Sequence, residues 1–111
     1  MTDYHFYRPE EGHRLPHSPL NAIVAPRPIG WISTIGKDGT RNLAPYSFFN
    51  LINYDPPLIA FASSGWKDTV ANIEASGEFV WNLATRAQAE AMNASSASVE
   101  PGGDELDRKS T

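Results

Sequence analysis

Between Pro26 and Thr85, small hydroxyl residues, one lysine and a helix start are set between apolar strands. Ser63-Ser64-Gly65-Trp66-Lys67-Asp68-Thr69 leaves an apolar run and enters a helical pattern. Main-chain N–H groups without partners and the positive end of the helix dipole favour an anion at such a point. The hydroxyls of Ser63, Ser64 and Thr69 can donate to it, Gly65 permits close approach, and Lys67 adds a point charge suited to phosphate. The same residues also read as a solvated Ser-Gly turn, with Thr69 an ordinary cap and Lys67 exposed. Upstream, Asn42 to Asn50 is a strand ending in a small and polar turn. That turn can present main-chain groups to the polar edge of a flat heterocycle while Tyr46, Phe48 or Phe49 supplies an apolar wall. Core packing is the competing role for these aromatics. It is the first reading of Trp31 and a ring wall the second. Taken together, the residues suit a phosphate with a flat ring beside it.

Several other chemistries are excluded. There is no GxGxxG, GxxxxGK[ST] or GxSxG signature. His13 and His17 stand four apart, but Pro16 interrupts any helix that would bring them together, so no metal site is expected. With no cysteine there is no disulfide, no thiolate nucleophile and no cysteine-held zinc or iron–sulfur cluster. A net charge of −4 offers no broad basic surface, so nucleic acid is not an expected partner. The start Met1-Thr2-Asp3-Tyr4-His5 lacks a secretory pattern, and no apolar run approaches the roughly 20 residues of a membrane helix. No membrane association and a cytoplasmic location are therefore expected. In that setting the glycosylation triplet Asn93-Ala94-Ser95 carries little meaning.

The 111 residues, 41% apolar, suffice for one small domain. Residues 1–19 read as an irregular arm, 20–97 as the folded barrel-like body, and 98–111 as a disordered tail. Leu20 to Val24 is expected to be a strand, followed by an extended turn at Pro26-Arg27-Pro28. A strand over Ile29 to Ile35 turns back at Gly36-Lys37-Asp38-Gly39, a tight hairpin signal, into an antiparallel strand over Thr40 to Tyr46. Leu58 to Ala62 is expected to be the most buried strand. Asp68 or Thr69 would cap a helix running to Ser76, with Val70 and Ile73 on one face and Gly77 at its left-handed end. A strand over Glu78 to Thr85 would place Phe79, Trp81 and Leu83 on one side, ahead of a helix over Arg86 to Ala94. Five short strands leave an edge open unless another subunit or further sequence covers it, so oligomerisation is expected.

In order, PRPIGWIST (Pro26 to Thr34), DGTRNLAPYSFFN (Asp38 to Asn50), DPP (Asp55 to Pro57), KDTVANI (Lys67 to Ile73) and GEFVWNL (Gly77 to Leu83) resemble the flavin reductase-like family of FMN-binding split-barrel proteins. Five ordered motifs are more specific than any one, and the resemblance covers roughly residues 4 to 105. It implies a mainly β, antiparallel, Greek-key-like split barrel of six strands with short helices, dimeric, with FMN at or near the subunit interface. By position, Ala44, Pro45, Tyr46, Ser47 and Phe48 would contact ring and ribityl chain, and Ser63, Ser64, Lys67 and Thr69 the phosphate. Asn50 and Trp31 would add further contacts. The implied activity is reduction of flavin by NADH or NADPH, often to supply a partner monooxygenase. In that chemistry the cofactor performs the hard step, so no acid–base residue is assigned as catalytic. The resemblance implies several more strands beyond Asp104-Glu105-Leu106, so this chain is expected to correspond to the N-terminal part of such a protein. The alternatives are a non-catalytic FMN-binding module and a cofactor-free remnant.

Overall fold

The computed structural model describes residues 3–96. The expected tail at 98–111 lies outside the described residues. Strand β1 (Gly30–Ile35) and strand β2 (Arg41–Tyr46) form the expected antiparallel hairpin, with Gly30 opposite Tyr46 and Ile35 opposite Arg41. Gly36 N–H donates to the Thr40 carbonyl at 2.8 Å, and Gly39 takes a φ of 85° that a side chain would resist. Asp38 Oδ1 accepts the Thr40 N–H at 3.0 Å, and this bond holds the carboxyl below its usual pKa of 3.8. The same turn chemistry that signals a hairpin in the sequence therefore closes it.

Strand β5 (Val80–Asn82) pairs antiparallel with the other edge of β1, giving the order β2-β1-β5. Asn82 reinforces the junction, its Nδ2 donating to the Trp31 carbonyl at 3.0 Å and Ser33 Oγ at 3.2 Å. Strand β3 (Phe49–Asn53) and strand β4 (Leu58–Phe61) form a separate two-stranded antiparallel sheet. Aromatic rings join the two sheets. Tyr46 packs on Phe61 at 4.7 Å between centroids, Phe61 meets Phe79 edge-on at 5.2 Å, and Phe49 lies parallel to Trp81 at 6.2 Å. Gly30 is required here, because a Cβ at that position would run into the Phe49 ring.

Helix α2 (Asp68–Ser76) packs on β1 and β2 and ends at Gly77, whose φ of 76° and N–H bond to the Ile73 carbonyl make the expected left-handed stop. The helix over Arg86 to Ala94 is present as a 3₁₀ turn at Arg86–Gln88 running into helix α3 (Ala89–Ala94).

Four expectations differ from the structure. Leu20 to Val24 is not a strand but a single helical turn, α1 (Leu20–Ile23), started by Pro19 and closed by Val24 N–H on the Leu20 carbonyl at 2.9 Å. Among the described residues no strand lies beside it to take up ladder bonds, so local turn chemistry prevails. Leu58 to Ala62 is not the most buried strand. It sits in a two-stranded sheet and its side chains are exposed or half-buried, whereas β1 lies between two strands and holds Ile32 at 0% exposure. The strand expected over Glu78 to Thr85 is paired only at Val80–Asn82, where β1 offers an edge, and Trp81 and Leu83 around it are exposed. The N-cap of α2 is Lys67 rather than Asp68 or Thr69, and no side chain caps it. A fifth feature, β3, was not anticipated as a strand distinct from β2, because only Ser47 and Phe48 separate the two.

The radius of gyration is 17.2 Å, against about 13 Å for a compact domain of this length. The packed part is β2-β1-β5 with α2, and it is this part that positions the candidate site.

Candidate functional site

Three segments converge at the end of β2. Phe48 carbonyl accepts the Ala62 N–H at 2.9 Å, so the aromatic turn at Tyr46-Ser47-Phe48 lies directly beside the start of the serine turn at Ser63-Ser64-Gly65. Ser63 Oγ donates to the Gly65 carbonyl at 3.0 Å and Gly65 takes a φ of 92°, which together shape the bend before α2. Lys67 then follows, its Nζ 5.9 Å from the centroid of the Tyr46 ring. The first main-chain bond of α2 runs from Ala71 N–H to the Lys67 carbonyl, so the N–H groups of Asp68, Thr69 and Val70 have no acceptor within the helix. A serine turn, an ammonium and three donor N–H groups thus sit in sequence next to the aromatic turn. The arrangement can bind an anion and hold a ring-bearing group attached to it.

All the candidates but Asn50 divide into three groups. Ser47, Phe48, Ser63, Ser64 and Lys67 belong to the convergent segments and remain at least partly accessible. Ala44 and Pro45 are half-buried on β2, opposite Ile32 and Trp31. The side chains of Trp31, Tyr46 and Thr69 are buried, at 8%, 6% and 1% exposure. Trp31 Nε1 donates to Ser95 Oγ at 2.9 Å, the packing role that the sequence reading placed first. Thr69 Oγ1 accepts from Asn42 Nδ2 at 2.7 Å, so its side chain faces the sheet. Asn50 lies further along β3, exposed, with Oδ1 accepting the Leu51 N–H at 2.8 Å.

Two residues escaped the sequence reading. Arg27 places its guanidinium 5.0 Å over the Phe48 ring and donates to Ser47 Oγ at 3.3 Å and the Val24 carbonyl at 3.2 Å. Its place between two prolines signals a cation held by stiff backbone, but nothing in the spacing points to residue 48. Asn42 reaches across to Thr69, a partner 27 positions away that no local pattern connects.

Whether these residues suit a flavin nucleotide can be judged from polar atoms left without partners. Arg27 Nε and Tyr46 Oη are both buried and find no hydrogen-bond partner. Both belong to residues that form or flank the aromatic turn, where a bound heterocycle would bring polar atoms. The donor set fits such a group, with N–H groups and Lys67 for phosphate and the turn at 46–48 for the ring. An open depression of about 770 Å³ between Gly36–Asp38 and α2 is lined by Trp66, Asn72 and Glu74 and by none of the candidates. Its size does not make it the site, because it lacks the convergent donors. Among the described residues no group of three His, Asp or Glu could hold a metal ion, and no helix is long and apolar enough to cross a membrane.

Comparison with known proteins places the chain by family and by fold. The model of the flavin reductase like domain matches residues 24–110. Component B of nitrilotriacetate monooxygenase from Bacillus cereus is similar over 99% of this chain and 57% of its own, with a TM-score of 0.79 and 25% identity. The 2-nitrobenzoate 2-nitroreductase NbaA of Pseudomonas fluorescens is similar over 77% and 41%, with a TM-score of 0.70 and 35% identity. A split barrel domain protein of Shewanella frigidimarina matches in fold over 76% and 42%, with a TM-score of 0.67 at 21% identity. The chain spans less than half the length of the curated relatives it matches.

Proposed function

The chain belongs to the flavin reductase like family, and from that premise we propose that it holds FMN and serves hydride transfer from NADH or NADPH to the flavin. One observation carries the proposal: the Phe48–Ala62 hydrogen bond sets the aromatic turn against the serine turn that leads into the uncapped start of α2. Lys67, Ser63, Ser64 and the N–H groups of Asp68, Thr69 and Val70 hold the phosphate. Ala44, Pro45, Ser47 and Phe48 line the ribityl chain and ring. Tyr46 supports that turn from the core through Phe61, and Thr69 contributes its main-chain N–H while its side chain anchors the helix. Trp31 and Asn50 frame the site from β1 and β3.

Bound there, the flavin supplies the electron-accepting chemistry. The protein's own work is to orient: Arg27 stiffens Phe48 from one side and donates to Ser47, fixing the turn against which the ring rests. No proton-transfer residue is assigned. The open apolar side chains on β3, β4 and β5 support a homodimer. By analogy with the monooxygenase component among its structural neighbours, a cytoplasmic monooxygenase is the proposed consumer of reduced flavin.

The test is a visible spectrum and intact mass of the purified chain, followed by NADH consumption with added FMN. A yellow protein that speeds oxidation of NADH above free FMN supports the proposal. A yellow protein inert to both nicotinamides reduces it to flavin binding, and no flavin uptake at high FMN concentration overturns it.

A further inference from the structure

The interface between α2 and the sheet contains a cluster of four polar side chains arranged two by two. Thr34 on β1 and Asn42 on β2 are direct cross-strand partners. Thr69 and Asn72 stand three apart on α2, one turn along the same face. Asn42 Nδ2 donates to Thr69 Oγ1 at 2.7 Å, and Asn72 Nδ2 donates to Thr34 Oγ1 at 3.0 Å. Each element thus gives one amide and receives one, so the pairing is reciprocal. Thr34, Asn42 and Thr69 are all buried, Asn42 at 4% exposure.

Apolar residues would pack this interface without specifying it, since hydrophobic contact is nearly indifferent to small slides and rotations. Paired polar groups are not indifferent. Turning α2 by one residue, or sliding it by one along the sheet, would leave the buried Asn42 amide and the buried Thr34 and Thr69 hydroxyls unpartnered, which is costly, while half-buried Asn72 would lose its bond to Thr34. The cluster also starts at the second residue of α2, so it acts on the turn whose N–H groups are unfilled.

We propose that Asn42 and Asn72 are positioning residues for the phosphate cradle: through Thr69 and Thr34 they fix the rotation and axial register of α2, and so the aim of its first turn. The inference rests on reading that turn as the phosphate site, and it adds that the site's preference for a phosphorylated flavin depends on side chains that never touch the ligand.

The experiment compares the full chain with two apolar pair variants, Thr34→Val with Asn72→Leu and Asn42→Leu with Thr69→Val. Removing both partners of a buried hydrogen bond leaves no orphan, so folding is expected to survive. Fluorescence titration with FMN and with riboflavin, which lacks the phosphate, gives two affinities for each protein. Each pair variant should lose about tenfold in FMN affinity, the scale of misaligned charge-assisted bonds, with riboflavin affinity unchanged. Equal loss for both flavins, or loss for neither, overturns the inference. Amide hydrogen exchange without flavin forms a second arm. Protection of Ala71 to Ile73 should fall by about tenfold in the variants while β1 keeps its protection. Unchanged protection overturns the inference whatever the flavins do. Should the unaltered chain bind both flavins equally, the phosphate reading fails by itself, and the exchange arm still decides whether the cluster positions the helix.

Discussion

Strand β1 and the β3–β4 hairpin are both rich in large apolar residues, yet one is the core of the molecule and the other is mostly bare. β1 has a strand on each side and α2 packed on it, so Ile32 and Trp31 are buried. β3 and β4 have only each other in register, and Leu51, Ile52, Tyr54 and Leu58 are exposed, as are Val80, Trp81 and Leu83 nearby. The contrast separates two jobs. The packed region holds the turn proposed to take the phosphate against the sheet, and the open region presents exposed apolar surface, on which the proposed dimer rests.

Substitutions sort along that contrast. Ile32→Ala, in the packed region, should cost about 2–5 kcal/mol in equilibrium unfolding, enough to unfold a marginal domain. A loss no greater than at an exposed residue would mean that β1 is not the core. Lys67→Ala should weaken FMN by several-fold to about tenfold and leave riboflavin alone, since the lost contact is a point charge on phosphate. An equal effect on both flavins would move Lys67 away from the phosphate. Gly77→Ala should cost about 1 kcal/mol, because the helix ends at a φ of 76° that alanine tolerates poorly, and thermal denaturation would reveal it. In the open region, Ile52→Ser should change the stability of the isolated chain by less than about 0.5 kcal/mol. It should instead shift sedimentation toward the monomer if a second copy covers that face. The smallest effect concerns pH. Asp38 has a folded pKa below its ordinary 3.8, so it stabilises the fold above that value and the contribution is lost as pH falls through the lower, folded one. Asp38→Asn should flatten this part of an acid titration, and an unchanged acid limb would remove the Thr40 bond from the account.

What could be read from sequence follows physical range. The hairpin at Gly36 to Gly39 and the stop at Gly77 are local, and both appear as expected because a glycine at positive φ fixes the chain within a few residues. The serine turn and Lys67 likewise fall where the motifs put them. Burial is not local. Leu58 to Ala62 has a core strand's composition, but whether it is covered depends on what packs on it. Leu20 to Val24 has strand composition too, and with no strand alongside it became a helical turn. Thr69 shows the same limit within the site: its hydroxyl suits a phosphate, yet its rotation on α2 turns it toward Asn42. The amide–hydroxyl cluster and the Arg27–Phe48 stack were illegible because each joins segments whose proximity only the fold creates.

The most direct measurement is a paired titration of the unaltered chain with FMN and riboflavin, followed by flavin fluorescence. A phosphate held by Lys67 and the first turn of α2 predicts FMN binding tighter by about tenfold or more. Equal affinity for the two flavins would contradict the account at its centre.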